Sequence, residues 1–198
     1  MKLTRTFVAA IAITLVNAPL ALAHVDPRLA GNSFGAGFLH PITGWDHLLA
    51  AMGIGLLAAR LGGAAILALP GTFVCAMLGG QLLGMSRYAF PMVEGGIAAS
   101  LVLIGLLIVA MPRRRLVVLS LLSAVFGLIH GHAHGNEMAA MSAGAEFSLG
   151  LLLATCLLQA GGILIGRWVN QSNSGIRMVR WAGAALATAG LYLAFFVI

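Results

Sequence analysis

Acidic residues are scarce in this chain: five Asp and Glu stand beside eleven Lys and Arg and six His in 198 residues, and only 8% of the chain is charged. A soluble domain of ordinary composition carries about 25% charged residues, so a surface bathed in water is excluded. Lysine occurs once, at Lys2. No G-x-x-x-x-G-K-[ST] phosphate loop can therefore exist, and ATP is not the direct energy source through such a site. Cysteine is limited to Cys75 and Cys156, each in the middle of an apolar run, which leaves no disulfide framework and marks both as small hydrophobes. The net charge of +6 forms no basic stripe, so nucleic acid is not the partner.

What is present in excess is apolar sequence, 61% of the chain. At the start, Lys2 and Arg5 precede an apolar stretch from Phe7 to Val16, followed by Ala21-Leu22-Ala23. This is the pattern of a cleaved secretory signal, 1–23. A first membrane helix is the alternative, disfavoured by the short apolar core and the break at Asn17–Pro19. The remaining 24–198 is read as one domain. Apolar runs of spanning length recur at 42–59, 64–84, 91–111, 116–134, 145–168 and 178–198. About 20 apolar residues cross the hydrocarbon core as a helix, and the runs lack period-2 alternation. The expected fold is all-α: a polytopic membrane protein with six transmembrane helices in a single bundle.

Arginine placement orients it. With the mature N-terminus outside, Arg60, Arg113, Arg114, Arg115, Arg167, Arg177 and Arg180 fall on the cytoplasmic side, and only Arg28 and Arg87 on the other. That asymmetry matches the positive-inside rule and implies a bacterial inner (plasma) membrane with a periplasmic N-terminus. Glycine pairs at 62–63, 79–80, 95–96 and 161–162 are expected to allow close helix contact.

The acids and histidines past the signal are His24, Asp26, His40, Asp46, His47, Glu94, His130, His132, His134, Glu137 and Glu146. On this topology all of them lie at the outer side or in the outer part of the bundle. Ionisable groups at membrane depth are costly and usually functional, and imidazole with carboxylate suits nickel, zinc, copper and iron. Pro41 is comfortable at a first helical position. A helix starting there places His47 two turns beyond His40 on one face, with Asp46 about 100° away, orienting a ligand or binding directly. Glu94 opens the third span, after Pro91. His130, His134 and Glu137 follow an i, i+4, i+7 spacing and share a helical face, while His132 points elsewhere. Cleavage after Ala23 makes His24 a small chelating terminus. Interfacial histidines and dipole-favoured carboxylates are the plain alternative for each segment taken singly. Outer-side methionines are read as packing residues.

The stretch H-P-x-x-G-x-D-H at 40–47 and the stretch H-G-x-A-H-G-x-E at 130–137 resemble the two signatures of the HupE/UreJ family. The resemblance covers nearly the whole mature chain, with Glu94 at the start of the third span. Leu128-Ile129 depart from it, standing where an aromatic neighbour of His130 is expected. The spacing H-x5-D-H also differs from the H-x4-D-H of the larger nickel/cobalt transporters. The resemblance implies a nickel permease serving hydrogenase or urease maturation, with cobalt assigned to some relatives. The functional positions it carries over are His40, Asp46, His47, Glu94, His134 and Glu137, with His130 fitting the second motif.

The expected substrate is therefore Ni2+ or Co2+, held between the first, third and fourth spans. No prosthetic group is expected, and the ion would be handed to metallochaperones of hydrogenase or urease maturation. A membrane-embedded metal-dependent enzyme is the rival class. It lacks an H-E-x-x-H motif or a convincing Ser–His arrangement in this sequence.

Overall fold

The computed structural model describes residues 33–86, 90, 92–110, 115–138 and 144–197, with the side chains of residues 137 and 138 left out. The proposed signal, the domain boundary after it and His24 lie outside the described residues. The described residues form seven helices and no strand: α1 (Ser33–Thr43), α2 (Trp45–Leu61), α3 (Ala65–Met85), α4 (Val93–Ala110), α5 (Leu116–Met138), α6 (Gly144–Val169) and α7 (Asn173–Phe196). The last five are each long and apolar enough to cross a membrane. The first two form a bent pair that is long and apolar enough only when taken together, which makes up to six spans among the described residues.

That pair corrects the expectation of one straight helix starting at Pro41. α1 runs through Pro41 and ends at Thr43, and α2 leaves it at a bend of 76°. The break is local. Gly44 takes an extended conformation (φ −78°, ψ 104°). Its N–H closes α1 by donating to the His40 carbonyl at 2.9 Å, while its own carbonyl accepts the first α2 bond from Leu48 at 2.9 Å. The Thr43 hydroxyl folds back to donate to the Leu39 carbonyl at 3.1 Å, adding a second bond to the last turn. His40 and His47 therefore sit on two helices that meet at an elbow.

The last helix also begins earlier than its apolar run. Ser172 caps α7 by accepting from the Gly175 N–H at 3.1 Å, so Arg177 and Arg180 ride inside the helix. Capping, which hydropathy does not register, decides this boundary.

Four close pairings build the bundle: α3 with α5, α4 with α7, and α6 with both α1 and α2. Lipid offers little hydrophobic contrast between helices, so small residues that let backbones approach carry the packing. On α5, Gly127, Gly131 and Gly135 recur one turn apart. A Cβ at any of them would run into an α3 carbonyl, of Phe73, Met77 and Gln81 respectively. Ser123 adds a bond across the pair, donating to the Leu69 carbonyl at 2.7 Å. Of the paired glycines in the sequence, Gly80 and Gly162 serve such contacts, whereas Gly62 and Gly63 make the α2–α3 turn with positive φ of 67° and 56°.

Candidate metal centre

The glycine stripe of α5 sets the rotation of that helix. With Gly131 and Gly135 against α3, their neighbours His130 and His134 face away from the stripe, toward the α1–α2 elbow. His40 comes from the last turn of α1 and His47 from the first turn of α2.

The four rings meet. His47 and His134 have centroids 4.4 Å apart, His40 and His134 4.7 Å, His47 and His130 5.3 Å, and His40 and His47 5.7 Å. Donor nitrogens of His40, His47 and His134 all lie within 4.8 Å of one another. His40, His130 and His134 are buried, and His47 is nearly so. Imidazoles rarely crowd together in an apolar core without a shared ligand, since each carries polar atoms that burial penalises.

The contacts around the rings distinguish the two nitrogens of His47 and of His130. Asp46 Oδ1 accepts from His47 Nδ1 at 2.6 Å and from the His47 backbone N–H at 2.9 Å. A carboxylate on one ring nitrogen fixes the tautomer and raises the basicity of the other, Nε2. The His130 Nδ1–H donates to the Phe126 carbonyl at 2.8 Å. Its Nε2 is buried with no hydrogen-bond partner among the described residues, as a nitrogen reserved for a ligand would be. Aromatic walls enclose the group: Phe73 of α3 stands 5.5 Å from His130, and Phe147 of α6 stands 5.7 Å from His40.

Asp46, His40, His47, His130 and His134 are thus brought together. Glu94 is not in the group of donors: it stands exposed in the first turn of α4, and the aromatic walls of the centre come from α3 and α6. Glu146 is exposed at the start of α6. His132 turns to Phe90, at 5.5 Å. The Glu137 side chain and His24 lie outside what the structure describes. Phe73, Phe147 and Gly127 are not singled out by the sequence motifs, and Gly131 and Gly135 stand in the second motif with no role read for them. The G-x3-G-x3-G spacing at 127–135 is a legible signal for the glycines, but nothing in the local sequence marks the two phenylalanines.

Fold and centre together define a multi-pass helical membrane protein with a buried histidine cluster near one end of its bundle. Comparison with known proteins agrees. The family model described as HupE / UreJ protein matches residues 11–193. Protein HupE of Rhizobium leguminosarum bv. viciae is 37% identical over 184 residues, covering 91% of this chain and 96% of that relative. The chain belongs to the HupE/UreJ family. No solved structure matches it.

Proposed function

We propose that the protein is an inner-membrane permease that gathers a divalent transition-metal ion, nickel, from the periplasm and passes it inward. One observation carries the reading: imidazoles from α1, α2 and α5 present donor atoms within 4.8 Å of one another. The proposed ligands are His40, His47 and His134, with His130 as a fourth nitrogen and Asp46 orienting His47. An all-nitrogen set of this kind fits the tetragonal preferences of nickel, and cobalt is the nearest competitor for it. Glu94 and Glu137 are assigned to the mouth, where acids draw in a hydrated dication, and His24 joins them once the signal is removed.

The seven arginines that the span pattern assigns to the opposite end support the orientation. A dication moving inward down about 100 mV gains roughly 4.6 kcal/mol, at about 2.3 per charge. The membrane potential alone therefore suffices to concentrate it. Buried imidazoles supply bonds without charge, which keeps the ion bound loosely enough to leave.

Radioactive nickel influx into proteoliposomes holding only this protein tests the reading, with cobalt and zinc as competitors. The expected result is potential-driven influx that nickel competes for best. Binding without flux would make the chain an enzyme, sensor or assembly partner instead.

A further inference from the structure

The buried face of α6 runs inward from the histidine centre. It starts at Phe147, which walls His40, and continues through Leu151, Ala154 and Thr155 to Gln159. Gln159 lies about 18 Å beyond Phe147 along the helix axis at 1.5 Å per residue, well past every acid and histidine described above. It is 1% exposed. Neither its amide oxygen nor its amide nitrogen has a hydrogen-bond partner among the described residues. The buried Ser100 and Ser123 hydroxyls, by contrast, are engaged, donating to the Ile97 and Leu69 carbonyls at 2.7 Å each, and the buried Gln81 amide has its oxygen met by Ser148 at 3.2 Å while only its nitrogen is left over.

An amide with both ends unmet inside a lipid-enclosed core is a stability loss that a purely structural residue would not impose. Its backbone is held firmly as well. A Cβ at Gly55 of α2 would collide with the Gln159 carbonyl, so α2 presses against α6 at this level. Between this level and the histidines Ala50, Ile54, Leu151 and Ala154 are fully buried, and on α6 the one polar side chain of the buried face is Thr155, a turn short of Gln159. A dication crossing that layer needs an oxygen on the far side to replace lost hydration.

We propose that Gln159 supplies that oxygen, as an inner, weaker stop for the partly hydrated dication between the histidine centre and the arginine-rich end. The inference rests on the permease reading and adds a second subsite to it. A neutral carbonyl dipole coordinates a cation without adding charge, so the ion is held briefly and released. The amide N–H groups hold water that travels with it. Arg60, five residues past Gly55 on α2, places positive charge near the exit and discourages lingering.

The test compares nickel binding by the detergent-solubilised full chain with nickel influx into proteoliposomes. Gln159→Met removes the amide at nearly constant volume. We expect Q159M to bind nickel as the wild type does, while its influx falls roughly tenfold or more, the worth of one contact to a charged group. Gln159→Glu restores an oxygen, so Q159E should recover influx above Q159M, with a lower half-saturating concentration and a lower maximal rate. Influx through Q159M equal to wild type would overturn the inference. So would loss of binding together with influx, which would make Gln159 part of the fold rather than the path. Absence of influx through the wild type is a different result, because it removes the permease reading itself.

Discussion

The two halves of the histidine centre are built on opposite principles. His130 and His134 ride on α5, an unbroken helix clamped to α3 through three glycines and a serine bond. His40 and His47 stand on either side of a 76° break, joined by the single extended residue Gly44. One half is a rod and the other an elbow. A site that only stores an ion gains from two rods, whereas a site that must release one needs a part able to move, and element ends that absorb φ/ψ change are where such motion resides. The arrangement fits a fixed pair of nitrogens against which a hinged pair closes and opens.

The largest effect is expected from breaking the rod. Gly131→Ala drives a methyl group into the Met77 carbonyl, and overpacking of this kind costs about 3 kcal/mol. A methyl group at Gly161 would meet nothing within 4 Å, so Gly161→Ala should leave stability unchanged or raise it by up to about 1 kcal/mol. Monodispersity of the purified variants after graded heating in detergent measures both.

Removing a nitrogen from the rod comes next. His134→Ala should weaken nickel affinity by more than the roughly 10- to 100-fold that loss of an outer-shell partner costs, with the fold retained. Titration calorimetry with the purified chain reads the affinity, and an unchanged value would remove His134 from the ligand set.

On the elbow, Asp46→Asn keeps the shape but removes the carboxylate that accepts from His47 at 2.6 Å. Affinity in the same titration should fall roughly 10- to 100-fold, less than for His134→Ala. The smallest effect belongs to Gly44→Ala. Its backbone angles suit any residue, but the new Cβ would lie 3.3 Å from Asp46 Oδ1, the His40 carbonyl and His47 Nδ1. A twofold to threefold loss of affinity, about 0.5 kcal/mol, is expected, with a larger fall in influx if the elbow is the moving part.

The spans of α3, α4 and α6 can be read from the chain to within about two residues at either end, because an apolar run in lipid has to be a helix. The five residues of the candidate centre are legible for a related reason: a costly group at membrane depth stands out against an apolar background. The elbow is not legible, since Pro41 suits a helix start as well as the last turn of a short helix, and only the Gly44 backbone distinguishes them. The place of Glu94 is not legible either. Its position in a first turn is correct, but its distance from the histidines depends on how α4 packs against α2 and α7.

Sequence by itself determined the run of long apolar helices and the histidine and carboxylate chemistry gathered on the chain, because each follows from short stretches meeting lipid or water on their own terms. Tertiary structure decided which helices touch, how α5 is rotated and where the α1–α2 elbow folds back. Helices in lipid associate through the fit of small residues far apart in the chain, and no single segment contains the shape of its partner.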